Sequence, residues 1–520
     1  MNEGVGPFAQ DEIVRALTQP SFYPHLPHDV RHHQTHISHV FVAGPFAYKL
    51  KKAVEFSFAD FSTAARRRAL CADEVRLNRR SCAPLYLGVV EVTRQADGSL
   101  ALGGDGIPLE ALVWMRALPE RGMLPVALAE GRVTGAALAG FAATLARFHA
   151  SPATVLAGED LAAPDTLRER WRHVLDDAAP MIGALLSAAD HEILQDFGAL
   201  FIQRHQSLLR ARGPAGRVRD GHGDLHAGNL CLLDEPLPAI AGAPRVEPGL
   251  YAFDCLEFSA ELRANDVASE IAFLAMDLVV RGHPELADSF VEAYVAATGD
   301  EELRVLLPFY GCHRASVRGM VLGLAAAGED VAADACSEAI ELGSRHFVHA
   351  TQLAWGTAGP ALVLCSGLSG SGKTTLAVAL ARATGFLLLS SDVLRKQRAG
   401  IEPQARTPDE RVPALYSDGA RHAIYEALAG EAERALATGT GVILDATFHR
   451  LAERQPLHEL AARLRVPLVI VACAASEATI RERAHPLLLD HIHERRDHAT
   501  VLDCIGHRPG PGAAATTGRG

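Results

Sequence analysis

The run Gly367-Leu368-Ser369-Gly370-Ser371-Gly372-Lys373-Thr374 constrains the fold of this chain more than any other stretch. It fits GxxxxGK[ST] without a gap. The apolar run Ala361 to Cys365 precedes it, and the helical pattern Thr375-Leu376-Ala377-Val378-Ala379-Leu380 follows. Strand, glycine loop and helix in that order predict a phosphate cradle. Glycines let backbone N–H groups turn inward on phosphate oxygens. Lys373 is expected to reach the β- and γ-phosphates, and the Thr374 hydroxyl to hold Mg²⁺. The helix directs its positive end at the same phosphates. Ordinary residue frequencies predict roughly 0.02 such matches in a chain of this length, so a chance glycine turn is a weak rival. Gly367 through Thr375 are the expected nucleotide-binding residues.

Further apolar runs follow at Leu387 to Ser390, Gly441 to Leu444 and Leu468 to Val471, with helical stretches between them. Alternating β and α predicts a parallel, doubly wound sheet. Val442-Ile443-Leu444-Asp445 is a strand ending in a carboxylate, a position suited to supporting Mg²⁺. Asp392, in Ser390-Ser391-Asp392, faces the crevice at the strand ends and is expected to accept a proton from a substrate hydroxyl. A helix N-cap is its plainer reading. Arg481, Arg483, Arg495 and Arg496 are candidate lid arginines; taken singly, each reads as a solvated charge. Through the P-loop, Ser391-Asp392-Val393-Leu394-Arg395-Lys396 and Leu444-Asp445-Ala446-Thr447, this half resembles the small P-loop kinases of metabolites and nucleic-acid ends. The resemblance covers about Ala361 to Arg483 and implies that Asp392 acts on the acceptor hydroxyl. His485-Pro486-Leu487-Leu488-Leu489 departs from an arginine-rich lid.

The other half carries Gly221-His222-Gly223-Asp224-Leu225-His226-Ala227-Gly228-Asn229. HGDxHxxN is expected by chance on the order of 0.001 times in this length. An acid and an Asn five residues later on one tight loop serve two jobs. Asp224 orients and deprotonates an acceptor hydroxyl, and Asn229 ligates Mg²⁺. Leu230 to Leu233 reads as a strand, and Tyr251-Ala252-Phe253-Asp254 as its partner, delivering Asp254 as a second metal acid. Upstream, Val40 to Leu50 reads as a hairpin around Gly44-Pro45, and Ser62 or Thr63 as the cap of a helix to about Arg80. Glu74 lies on the stripe Leu70, Glu74, Leu77. A carboxylate there needs a cation, and Lys49 in the hairpin is the natural partner. The pair is expected to hold the α- and β-phosphates. Val113-Trp114-Met115 is the expected contact to adenine. Asp234 to Gly249 reads as a surface loop.

These residues resemble the aminoglycoside phosphotransferase branch of the protein-kinase-like fold, and above all the bacterial proteins that join such a domain to a P-loop kinase. The likeness covers about Gln34 to Gly343. It implies Asp224 as catalytic base, Asn229 and Asp254 on Mg²⁺, Lys49 paired with Glu74, and Asp266 as a structural acid. No GxGxxG loop precedes Lys49, where the chain reads His36-Ile37-Ser38-His39-Val40-Phe41.

The expected architecture is an α+β kinase-like domain over 1–350, a linker over 351–360, an α/β P-loop domain over 361–508 and a disordered tail over 509–520. The expected activity is bifunctional ATP- and Mg²⁺-dependent phosphotransfer to small hydroxylated acceptors. The alternative is a P-loop small-molecule or nucleic-acid-end kinase regulated by a nucleotide-binding, pseudokinase-like N-terminal domain. Net charge is -12, from 62 acids against 50 bases, which opposes a nucleic-acid partner. No apolar stretch approaches the ~20 residues of a membrane span. Met1-Asn2-Glu3-Gly4 shows no secretory signal, and the nine cysteines are dispersed. A cytoplasmic protein with reduced thiols is expected. The spacings of His25, His28, His32, His33, His36 and His39 match no standard zinc site, so a His-rich surface segment is expected. Oligomeric state is not legible.

Overall fold

A computed structural model of the chain describes residues 7–35, 37–56, 59–155, 161, 163–240, 243–327, 333–403, 405, 409–476, 478–479 and 482. The expectations for Met1 to Gly4, His36, Arg481, Arg483, Arg495, Arg496, residues 485–489 and the tail from 509 lie outside these residues. The chain divides into two compact units, Met1–Ala354 and Trp355–Gly520.

The first unit opens with a six-stranded antiparallel sheet. Its order is Val30–Gln34, Ser38–Ala43, Phe46–Lys51, Ile107–Arg116, Tyr86–Arg94, Leu100–Leu102. Alternation sends Phe41, Tyr48, Leu50 and Leu112 to one face, where they pack with Ile13 and Leu17 of the helix Pro7–Leu17. Ala47, Val113 and Met115 point to the other face, against Cys71 and Val75 of the helix Ala64–Cys82. Thr63 caps that helix, its hydroxyl accepting from the Arg66 N–H at 3.3 Å. The edge strand Val30–Gln34 lies in the His-rich segment. Its polar sequence hides it, because backbone pairing to Ser38–Ala43 holds it rather than an apolar face. His32 and His39 hydrogen-bond to each other at 3.0 Å. Among the described residues no group of three or more His, Cys, Asp or Glu is placed to hold a metal.

Helices then build a large core in which Val267–Val280 is buried on nearly all sides. Between them lie two short antiparallel pairs, Leu230–Leu233 with Gly249–Ala252 and Val218–Asp220 with Ala264–Asp266. The excursion from Asp234 to Gly249 is more than a surface loop. Val246 is fully buried, and it joins Leu237 in the cluster of Ala47, Val113 and Met115. The buried Arg116 fastens the excursion by donating to the Pro238 and Pro244 carbonyls. Apolar residues widely spaced in a Pro/Gly-rich stretch carry no period, so the sequence does not reveal this packing.

The second unit holds four parallel strands in the order Leu387–Ser390, Val442–Asp445, Leu362–Gly367, Leu468–Cys473. Leu362, Leu364 and Leu444 pack with the helices Asp418–Ala437 and Leu451–Leu464. Cys365 and Ile443 pack with Ala377 and Leu380 of the helix Lys373–Thr384. The helix Ala333–Gly356 continues through the first part of the stretch read as a linker, because Phe347, Ala350 and Ala354 extend its buried stripe. Among the described residues no helix is long and apolar enough to cross a membrane, and the described cysteines are all free thiols.

Candidate active sites

In the first unit, alternation along Phe46–Lys51 places Lys49 and Lys51 on one face of the strand. Both are buried. Glu74, fully buried on the helix Ala64–Cys82, takes both lysines: Oε1 accepts from Lys49 Nζ at 3.0 Å and Oε2 from Lys51 Nζ at 2.6 Å. Lys49 also pairs with Asp254, and Lys51 with Glu257. Burial works against the charged ammonium of Lys49, but Asp254 and Glu74 outweigh it and hold the group well above the ordinary lysine range. Burial likewise opposes an ionised Glu74, and the two lysines overcome it. Lys51 and Glu257 were absent from the sequence reading. The period of two along the strand was the available signal for Lys51.

Asp254 has φ 62°, an uncommon conformation outside glycine. Contacts on both sides hold it there. The Asp254 N–H donates to Tyr86 Oη and the Cys255 N–H to Asn78 Oδ1, each at 3.0 Å. The segment between Asp220 and Leu230 is pinned by buried acids of Val267–Val280: the Gly223 N–H donates to Glu270 at 2.6 Å and the Ala227 N–H to Asp277 at 2.8 Å. Gly221 must lack a side chain, since a Cβ would meet the Glu270 carboxylate. Asn229 Nδ2 donates to the Asp224 carbonyl and to Asp224 Oδ2, each at 2.9 Å, so the amide oxygen keeps its acceptor capacity. His226 Nδ1 accepts from the Gly228 N–H, which leaves Nε2 to carry the proton facing Asp224 Oδ2 at 3.4 Å. Burial pushes the Asp224 carboxyl up, but His226 and Arg318 hold it below the ordinary range, so it is ionised at neutral pH. Asp266 caps Val267–Val280 and is also clamped by Arg212 at 2.7 and 2.8 Å, so its structural and capping readings coincide. Val113 and Met115 lie inside the central strand, buried in the core, and Trp114 turns to the opposite face beside Phe46. The Thr35 N–H donates to the Ser38 carbonyl at 2.8 Å.

Glu270 links this loop to acid stability. Burial raises its carboxyl, but the His149 hydrogen bond at 2.8 Å prevails and brings it from 4.5 down to about 2. The unfolded chain therefore takes up this proton near pH 4.5, while the folded one resists to about 2. The stabilisation is complete above the unfolded value and is lost as pH falls through that window. Glu270→Gln should flatten the dependence of the first unit's stability on pH between 5 and about 3, read by urea unfolding at stepped pH.

In the second unit, parallel register sets Cys365, Ser390 and Asp445 level at the ends of three strands. The phosphate loop rises beside them. Gly367 has no room for a Cβ, which would strike the Cys473 carbonyl. Its N–H donates to the Thr447 carbonyl at 3.2 Å, and the Ser371 N–H closes the loop on Leu368 at 3.2 Å. Gly370 lies at φ 81°, and Gly372, at φ 91°, starts the helix Lys373–Thr384. Ser369 is partly buried in the loop, and Thr375 is exposed in the helix's first turn. Lys373 Nζ donates to the Leu368 carbonyl at 3.3 Å, and burial lowers its pKa. Thr374 Oγ1 donates to Asp445 Oδ2 at 2.8 Å, and Ser390 Oγ does so at 3.2 Å. Asp445 Oδ1 is buried without a partner. An orphaned carboxylate oxygen beside a threonine hydroxyl and the phosphate loop fits a hydrated divalent cation.

Asp392 is not the N-cap of its helix. Ser390 holds that position, and Asp392 sits in the first turn of Ser391–Arg398. Its carboxylate instead receives Tyr416 Oη at 3.0 Å and Lys396 Nζ at 2.8 Å. Tyr416 lies 24 residues away, which is why sequence reading missed it; Lys396 was legible as an i,i+4 partner.

Comparison with known proteins adds family information. The family described as "Phosphotransferase enzyme family" matches residues 60–240, and the one described as "AAA domain" matches residues 362–486. Uncharacterized proteins of Mycobacterium tuberculosis and Mycobacterium bovis are each 30% identical over 457 residues, covering 88% of this chain and 85% of theirs. Among solved structures, a choline/ethanolamine kinase family protein from Mesorhizobium loti is 16% identical, with a TM-score of 0.36, covering 66% of this chain and 98% of that one. Amicoumacin kinase hAmiN, in complex with AMP-PNP, Ca²⁺ and Ami, is 14% identical, with a TM-score of 0.38, covering 65% and 92%.

Proposed function

Because the chain belongs to the family of these mycobacterial proteins, and is by its phosphotransferase and P-loop domains an ATP-dependent kinase, we propose that it is bifunctional, each unit moving the ATP γ-phosphate to a hydroxyl of a small-molecule acceptor at a Mg²⁺-dependent site. The observation that supports this reading is the presence of two separate sets of residues suited to handling phosphate. One is Lys49, Glu74, Asp224, Asn229 and Asp254; the other is the 367–375 cradle with Asp392 and Asp445.

In the first unit, Asp224 accepts the proton of the acceptor hydroxyl, and Asn229 fixes its carboxylate. Lys49, oriented by Glu74, holds the α- and β-phosphates. In the second, the cradle amides and Lys373 hold the phosphates, while Asp392 accepts the proton of the other acceptor. Asn229 and Asp254 in one site, and Thr374 and Asp445 in the other, would hold Mg²⁺. When bound, Mg²⁺ neutralises charge on the phosphate oxygens. The doubly wound reading of the second sheet is supported by helices packed on both of its faces. The kinase-like domain is read as 1–350 and the P-loop domain as 361–508.

Two observations favour a regulatory first unit. No GxGxxG motif precedes Lys49 in the sequence, and Val246 packs onto the sheet face that carries Lys49. Single-site variants of the full chain decide between the two readings in a γ-labelled ATP screen of hydroxylated metabolites. Lys373→Ala should silence one set of products, Asp224→Asn the other, and the double variant both. Loss of every product with Lys373→Ala alone would favour the regulatory reading.

A further inference from the structure

We propose that the first unit's acceptor is an anionic hydroxyl compound, a sugar or polyol bearing a carboxylate or phosphate, whose anionic group is held by Arg318 together with Arg314. This rests on the reading of Asp224 as the base on the acceptor hydroxyl.

The two arginines stand four residues apart on the helix Leu303–Ala326, so they share a face. Arg314 is only 7% exposed. Its Nη1 donates to the carbonyl of Gly223, the residue before Asp224, at 3.2 Å, and its Nε to Ser269 Oγ at 3.0 Å. Its guanidinium lies 4.9 Å from the centre of the Phe273 ring. Arg318, one turn on, has a buried Nε with no hydrogen-bond partner. Arg170, on Pro164–Ala178, donates to the Ala264 and Glu261 carbonyls and to Asn265 Oδ1, all uncharged acceptors. Among the described residues none of the three has a carboxylate within ion-pair distance.

Three other buried arginines in this unit are neutralised. Arg67 has Glu110, Arg212 has Asp266 and Asp300, and Arg263 has Asp220. Arg116 lacks a carboxylate too, and the Pro238 and Pro244 carbonyls accept from it. A buried, unneutralised cation costs several kcal/mol, so the buried Arg314, with the partly buried Arg318 one turn on and, among the described residues, no acid paired with either, is a poor structural device. The carboxylate that Arg314 and Arg318 share by charge is Asp224, which also faces His226. The leftover positive charge therefore sits on the side of Asp224 formed by Leu303–Ala326. Guanidinium donors match carboxylate and phosphate oxygens in pairs, and repel an ammonium. The Glu270 carboxylate also lies near Arg314, but His149 and the Gly223 N–H already occupy it.

The test uses the full chain carrying Lys373→Ala, so that the P-loop unit is silent. The first arm titrates inorganic phosphate into the AMP-PNP complex by calorimetry. Saturable binding is expected, weakened about tenfold or more by Arg318→Gln, the scale of one charge-assisted hydrogen bond, and largely kept by Arg318→Lys. The second arm offers matched acceptors with γ-labelled ATP: glucose, gluconate, glucose 6-phosphate and glucosamine, then glycerol, glycerate and glycerol 3-phosphate. Label should enter the anionic members, with Arg318→Gln raising their KM by a larger factor than it lowers kcat. Absence of saturable phosphate binding, or binding indifferent to Arg318→Gln, overturns the proposal. So does label confined to neutral or cationic members, or an equal loss for all acceptors, which would place Arg318 on the transferred phosphoryl group. Arg318-dependent phosphate binding with no labelled product from any acceptor would uphold the anion site and defeat the phosphotransfer reading beneath it.

Discussion

Asp224→Asn, in a full chain already carrying Lys373→Ala, is expected to lower phosphoryl transfer at the first site by about 10²-fold or more, the usual scale for a positioned base. ATP affinity should change little. The substitution keeps the size of the side chain and one oxygen for the Asn229 hydrogen bond, which is 2.9 Å long in the unsubstituted chain. What it removes is the ionised carboxylate that His226 and Arg318 hold below its ordinary pKa against the opposing effect of burial. Asp254→Ala should show the opposite pattern. It deletes a carboxylate that pairs with Lys49 and that we propose as a Mg²⁺ ligand, so Mg²⁺-dependent ATP binding should weaken. Rapid-quench transfer assays and nucleotide titration separate the two. Equal transfer rates for wild type and Asp224→Asn would remove Asp224 from the role of base. ATP binding without transfer to any acceptor, in the wild type as well, would favour a regulatory unit.

Glu74→Ala is expected to destabilise the first unit by about 3–5 kcal/mol, the range for breaking a buried ion pair from one side. Two ammonium groups lose their shared acceptor at once, Lys49 at 3.0 Å and Lys51 at 2.6 Å. Asp254 is left to neutralise one and Glu257 the other. Glu257 is itself disfavoured as an anion, because burial raises its pKa. Glu74→Gln should cost less, since it keeps hydrogen-bonding capacity. Trp114 and Trp171 lie in this unit, and Trp171 is buried against Phe309, so tryptophan fluorescence in urea follows its unfolding. Unfolding midpoints for Glu74→Ala within error of the wild type would show that the lysines do not depend on Glu74 for burial.

The legible parts of this chain are those whose chemistry is local. A phosphate loop needs its glycines, lysine and threonine contiguous, so GxxxxGKT, the strand before it and the helix after it could be read together. The Asp224 to Asn229 loop is local in the same sense, and the helix after Thr63 announces itself through its cap and apolar stripe. Glu74 was legible because a carboxylate on an apolar stripe demands a cation.

Tertiary structure decided everything in which a distant segment supplies the counter-charge or the cover. Lys51 and Glu257 meet across 206 residues, and Tyr416 reaches Asp392 across 24. Glu270 and Asp277 hold the Asp224 loop from a helix whose sequence reads only as apolar. Val246 is buried although its surroundings read as a loop, because the sheet supplies the apolar surface that the excursion lacks. Arg314 and Arg318 could not be told from solvated charges, since whether a cation is compensated depends on which carboxylates the fold brings within a few ångströms. By itself the sequence determined which groups can do phosphate chemistry. Only the fold decided which are neutralised and which are left open, because burial and Coulomb interaction depend on distance in space rather than along the chain.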